Sequence, residues 1–277
     1  MTRPIRGLAF VVCGVLLSNG VQTRAAAEPQ ETSQAHVDRG HALFDKGDMN
    51  GAIEEYRAAL RLKPNDAIAH YYLGAALGES NDADGEIFEY RASLRIYDKI
   101  PDVHFFLGMA LRRKGDLEGA IAEYRAALGI YPDSIYPNSS EAHLFLGMAL
   151  RQKGDLDGAI AEFRAALSIR PDSEYSNSAD AHWNLGSALA QKGDTDKAIE
   201  EFRTALLLKP NSPVPHLGLS MALQDKGYKL IRDGRDEEGT VLTEQAYTEC
   251  KKALALDPTT KMIRDKCDYL AGFLGKK

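Results

Sequence analysis

The sequence predicts an all-α solenoid, a row of helix pairs stacked one on the next. Two observations carry that reading. One motif is written six times between residues 33 and 260. Within each copy, apolar residues fall at helical spacing in two blocks divided by a turn. Composition agrees with a folded chain. Of 277 residues, 44% are apolar and 27% charged, which excludes a disordered chain and a multi-span membrane protein. A net charge of −6 with no basic block excludes a nucleic-acid binder. Three cysteines are too few for a disulfide-rich mini-scaffold or a four-cysteine zinc site.

Residues 1–27 read as a signal peptide. Arg3 and Arg6 give a basic start, Gly7 to Leu17 an apolar core, and Ala25-Ala26-Ala27 a small-residue cleavage site. The cut is placed after Ala27. Cys13 lies inside the apolar core behind Val12, which argues against lipidation there. Removal takes away three arginines and no acid, so the exported chain carries a charge of −9. The chain is expected to be periplasmic or secreted, with no membrane span once the leader is gone. Residues 28–32 form a short tail.

The solenoid follows over 33–260. Its units include HFFLGMALRRKGDLEGAIAEYRAALGIYPDS at 104–134 and HLFLGMALRQKGDLDGAIAEFRAALSIRPDS at 143–173. Gly40, Gly74 and Gly108 are spaced by 34, Gly147 and Gly186 follow at steps of 39, and Ser220 takes the same place 34 later. In each first helix, His, Leu, Gly and Leu form one stripe, as in His104, Leu107, Gly108 and Leu111. The Lys-Gly-Asp turn offers a glycine suited to a left-handed C-cap and an Asp suited to the next N-cap. Each second helix carries Ala, aromatic, Ala, as in Ala120, Tyr124 and Ala127, so that a ring fills the gap between closely packed helices. Pro132, Pro171 and Pro210 close three units. The second unit departs, with Glu86 for the small Ala and Asn81 for the turn glycine. The near-copies Asp133-Ser-Ile-Tyr-Pro-Asn-Ser and Asp172-Ser-Glu-Tyr-Ser-Asn-Ser suggest duplication of a 39-residue module. A 14-residue insertion around Tyr228–Thr240 is expected to lengthen both helices of the sixth pair. Residues 261–277, with Met262, Ile263, Tyr269, Leu270 and Phe273, read as a helix capping the last apolar face.

These residues resemble the tetratricopeptide repeat family, over 33–260. The resemblance implies a right-handed α-solenoid of about six helix-turn-helix repeats, an exported bacterial protein, and a concave groove that binds a peptide or helix of a partner. That groove is placed on the residues three before, one after and four after each unit's glycine. They are Tyr71, Phe105, Leu144, Trp183 and Leu217 in the first row, Met109, Met148 and Met221 in the second, and Arg112 and Arg151 in the third. Trp183, Phe105, Met109 and Met148 are expected to be at least partly exposed.

Six of the seven histidines recur at one place: His36, His70, His104, His143, His182 and His216. Residues on successive helices lie about 10 Å apart, too far to share a zinc ion. They are read as packing residues with one ring nitrogen hydrogen-bonded, the alternative being a pH-sensitive stack. Glu123, Glu162 and Glu201 are read as solvated positions paired with Lys and Arg. No nucleophile, phosphate-cradling or metalloprotease motif is present, so no enzyme activity, cofactor or metal is expected. Asn138-Ser139-Ser140 matches a glycosylation acceptor, of consequence only in a eukaryotic secretory pathway.

Cys250 stands in the place of Tyr124, Phe163 and Phe202, and Cys267 in that of Leu107 or Leu146, on the helix that follows. Both fall at one helix–helix contact, either as a disulfide or as two small buried side chains. The function expected is a non-catalytic protein–protein scaffold. The alternatives are a substrate-docking subunit of an enzyme or assembly complex, and a self-assembling structural protein.

Overall fold

The computed structural model describes residues 31–131, 133, 136–169 and 177–276. The leader 1–27 with its Cys13, residues 28–30 of the short tail, the closing prolines Pro132 and Pro171, Ser134 and Ile135 of the first near-copy insertion, and residues 172–176 of the second lie outside these residues. Among the described residues the structure is helical, with no strand.

The helices come in pairs. They are α1 (Ser33–Asp45) with α2 (Met49–Leu62), α3 (Ala67–Glu79) with α4 (Ala83–Ile96), and α5 (Pro101–Arg113) with α6 (Leu117–Ile130). Then come α7 (Ser139–Lys153) with α8 (Leu156–Ile169), α9 (Ser178–Lys192) with α10 (Thr195–Leu208), and α11 (Pro213–Arg232) with α12 (Asp236–Leu256). The last helix, α13 (Lys261–Phe273), packs on α12. Each helix packs on the one before and the one after, which makes the chain an α-solenoid.

The turns are built from the sequence as written. Asp48, Asp82, Asp116 and Asp155 each accept a hydrogen bond from the amide three residues on, at 2.9–3.0 Å. Gly47, Gly115, Gly154 and Gly193 take φ between 83° and 94°, where a side chain is strained. In the second unit Asn81 takes the same role at φ 62°, a conformation Asn tolerates through its short polar side chain.

Within a pair, the unit glycine faces the ring of the second helix. A Cβ at Gly108 would stand 2.8 Å from Tyr124, and one at Gly147 would stand 2.6 Å from Phe163. Tyr56, Tyr90, Tyr124, Phe163 and Phe202 are all buried there. The sixth pair makes the reciprocal exchange. Ser220 replaces the glycine, Cys250 replaces the ring, and the Ser220 hydroxyl donates to the Ala246 carbonyl at 2.7 Å.

The 14-residue insertion is absorbed by α11 and α12, 20 and 21 residues long against 13 to 15 in the other pairs. Gly227 and Gly239 let the two backbones meet, since a Cβ on either would stand within 2.7 Å of the other's carbonyl oxygen. Cys250 and Cys267 form a disulfide between α12 and α13, with Cα atoms 5.6 Å apart.

Glu86 is buried and its carboxyl is held above the usual range by burial, against the pull of Arg113 in the next unit, to which it is ion-paired. Gly78, one turn past the unit glycine, leaves the space this larger side chain occupies, for a Cβ there would meet the Glu86 carboxylate.

Candidate functional site

The first helices α5, α7, α9 and α11 touch in series and bring the three predicted rows to one side of the solenoid. Of the two first-row residues expected to be partly exposed, Trp183 is so and Phe105 is not. Tyr71, Phe105, Leu144 and Leu217 are buried, and Trp183 is half-buried. Phe105 is 6% exposed because rings surround it: Phe106 at 5.3 Å, Phe145 at 5.5 Å and Tyr124 at 5.9 Å between centroids. It belongs to the floor of the groove. In the second row Met109 and Met148 are half-buried, while Met221 is 52% exposed.

The third row leans across from unit to unit. The Arg112 guanidinium sits 5.4 Å over the Phe145 ring, and that of Arg151 sits 5.5 Å over the Trp183 ring. Arg151 also donates to the Asn184 side-chain carbonyl at 3.3 Å. Burial pulls the Arg151 guanidinium below its ordinary value. The Arg112 Nε is buried with no hydrogen-bond partner.

Of the ten predicted groove residues, Arg151, Trp183, Leu217 and Met221 converge on one cavity of about 430 Å³. Its remaining wall includes Ser187 and, from the cap, Met262. Ser187 is fixed by donating to the Trp183 carbonyl at 2.8 Å. Tyr71, Phe105, Met109, Arg112, Leu144 and Met148 lie outside the cavity's lining. Met262 was missed as a site residue. Carrying the unit's register into the cap, with Cys267 in the place of Leu185, sets Met262 three residues before the place of Trp183, on the same helix face.

The histidine ladder is ordered by acids on the facing helices, among them Glu123, Glu162 and Glu201, which the sequence places in solvent against Lys and Arg. His36, His70, His104, His143 and His182 meet Glu55, Glu89, Glu123, Glu162 and Glu201, each through Nδ1 at 2.5–2.7 Å. His216 meets Glu249 at 2.6 Å. The separation is 19 residues in five units and 33 in the sixth, where the insertion intervenes. The second ring nitrogen is engaged too. It lies 3.0 Å from the Pro64 carbonyl for His70, 2.9 Å from that of Asp98 for His104, and 3.1 Å from that of Pro210 for His216. His143 Nε2 stands 3.4 Å from the Asp133 carboxylate, an ionic contact short of a well-formed hydrogen bond. For His70 and His104, two acceptors on one ring favour the doubly protonated form. Among the described residues, no three His, Cys, Asp or Glu side chains gather as a metal site.

Asn138 donates to Asp102 at 2.8 Å, so its side-chain amide is engaged at the entry to α7. Among the described residues, no helix is long and apolar enough to cross a membrane.

The comparisons with known proteins agree with this architecture. A TPR repeat model matches residues 40–81, and tetratricopeptide repeat models match 89–135 and 138–211. The chain belongs to the tetratricopeptide repeat family, whose members generally mediate protein–protein interaction. No curated protein matches the sequence. Among solved structures it is similar to PilF of Pseudomonas aeruginosa, with 17% identity, 87% of this chain and 97% of that one covered, and a TM-score of 0.64. It is similar to YrrB, described as a TPR protein with an unusual peptide-binding site, at 23% identity, 68% and 92% coverage and a TM-score of 0.59. It is also similar to the Cut9–Hcn1 assembly of the APC/C, at 18% identity and a TM-score of 0.64, over 88% of this chain but 43% of that one. Likeness at these identities is a likeness of fold.

Proposed function

We propose that this chain is an exported, non-catalytic scaffold that seats a segment of a partner protein in its inner groove. The cavity beside Trp183 takes an apolar side chain of that segment. The observation that carries the reading is the cavity itself. Its volume of about 430 Å³ falls in the range of binding pockets, and its walls include Trp183, Leu217, Met221 and Met262, with Arg151 and the Lys229-paired Asp225 among the polar lining. Methionines give a surface that repacks around different apolar groups. The peptide-binding site ascribed to YrrB supports the reading by analogy of fold. Export rests on the basic, apolar and small-residue order of residues 1–27, and Glu28 is the expected first residue of exported protein. N-terminal sequencing of exported material tests that part.

Trp183 is the chain's one tryptophan, so its fluorescence reports on the groove directly. A partner recovered with the wild type and then purified should shift that emission. Trp183→Ala together with Met221→Ser should weaken its binding while leaving the melting temperature within a few degrees. An emission that stays fixed on binding, or a partner indifferent to both substitutions, would show that the groove is not the binding surface. Exposed Met262, Tyr269 and Phe273 on the cap favour a second reading, self-association through the C-terminal end. Sedimentation at several concentrations distinguishes the two.

A further inference from the structure

Cations on this molecule divide into two kinds. Most are exposed, or stand against a carboxylate. Lys114 pairs with Asp84, Lys192 with Asp157, and Lys226 with Asp196. Lys229, also half-buried, pairs with Asp225. Among the described residues, the half-buried cations with no carboxylate against them are Arg112, Arg151 and Lys266. All three belong to the same side of the solenoid. Arg112 and Arg151 occupy equivalent places on the touching helices α5 and α7. Lys266 lies one turn along the cap from Met262 and donates to Gln224, which holds the same place on α11. On α9, between them, that place is Ala190, part of the cavity wall.

We propose that the groove selects an acidic partner segment: two carboxylates set against Arg112 and Arg151, next to a large apolar side chain seated in the cavity. The proposal presupposes that the inner groove is the binding surface. Partly desolvated guanidiniums without a counter-charge are costly in the free protein, and a carboxylate supplied from outside relieves that cost. Burial already disfavours the charged form of Arg151 and of Lys266, with no compensating acid beside either. Spacing sets the ligand's pattern. Adjacent first helices pack about 10 Å apart. An extended segment advances about 3.3 Å per residue, so its two acids stand about three residues apart. The chain's net charge of −6 leaves the rest of the surface repelling such a segment, which steers it toward this one strip.

The test is selection from a bead-displayed library of random dodecapeptides on the purified, oxidised full chain. The preferred peptide is then titrated by fluorescence anisotropy. The expected winners carry Asp or Glu in pairs about three apart beside a large apolar residue. Changing either acid to its amide should weaken binding about tenfold or more. Arg151→Glu should weaken the original peptide and restore affinity for a version with Lys in place of the facing acid. That rescue cannot come from a folding defect. Winners that are neutral or basic, and indifferent to Arg112→Glu and Arg151→Glu but lost on Trp183→Ala, would overturn the charge assignment and leave the groove standing. Winners indifferent to Trp183→Ala, or no winners, would overturn both.

Discussion

At the scale of single residues, the ladder shows how one repeated pair sets a pH response. His70 is held above its ordinary value chiefly by its hydrogen bond to Glu89. Burial works against the charge of His104 and His143, but Glu123 and Asp98, and Glu162 and Asp133, outweigh it, and both are raised. A histidine raised on folding stabilises fully below its unfolded value of about 6.5, and that contribution is lost as pH rises through the higher folded value. Glu55 and Glu249 run the other way. Burial raises them, yet bonds from His36 and Arg39, and from Lys252 and His216, bring them below their ordinary value. Their contribution is present above about pH 4.5 and lost in acid. The melting temperature should therefore be highest between about pH 5 and 6.5 and fall on going to pH 8. His104→Gln with His143→Gln should flatten that fall, and an unchanged slope in the double variant would remove the ladder as its cause. The partners were legible in principle. Each Glu recurs 19 residues after its His, and 33 after His216, a constant offset that marks a contact once the pairing of the helices is known. What a lone histidine stripe does not show is which acid on the facing helix reaches it.

At the scale of the helix pair, the turns, the glycine-to-ring contacts and the lengthened sixth hairpin follow from local rules, because each needs a particular residue type at a particular backbone position. The burial of Phe105 does not. It depends on Phe106, Tyr124 and Phe145 arriving from three helices, two of them beyond its own. The second unit shows a compensation of the same non-local sort. Glu86 is accommodated by Gly78 on the facing helix and answered by Arg113 from the next unit. Glycine inside a helix costs about 1 kcal/mol relative to alanine, and a buried acid adds a desolvation cost. Glu86→Ala alone leaves a void beside Gly78. The double variant Gly78→Ala with Glu86→Ala fills it with the small residues used at position 86's counterparts, Ala120 and Ala159. It should be more stable than the wild type by about 1 kcal/mol, or roughly 2–4 °C in melting temperature. Gly78→Ala alone should gain less, because its Cβ meets the Glu86 carboxylate. A double variant that melts below the wild type would show that Glu86 and Arg113 hold the two units together.

At the scale of the whole molecule, a solenoid is only as stable as its end units, since a terminal element has one neighbour where an inner one has two. The last described helix, α13, packs on α12 through Ile263, Cys267 and Leu270, while Tyr269 and Phe273 lie against Tyr228 of α11 and stay largely exposed. Three buried side chains are a thin contact for a helix of 13 residues. The Cys250–Cys267 disulfide closes a loop of 17 residues and so contributes about 3 kcal/mol by restricting the unfolded chain. It also holds Met262 in the cavity wall, which ties the cap to the candidate site. Reduction, or Cys250→Ala with Cys267→Ala, should loosen the cap before the rest of the array opens. Amides of 261–273 should then exchange with solvent much faster, while those of α5 to α8 keep their protection. Trp183 emission should shift to the red as Met262 leaves the cavity. The melting temperature of the whole chain should fall by several degrees, about 3 kcal/mol at 2–4 °C each. If α13 amides stayed as protected in the reduced protein as in the oxidised one, packing alone would be sufficient to hold the cap. The disulfide would then have no part in shaping the groove's C-terminal wall.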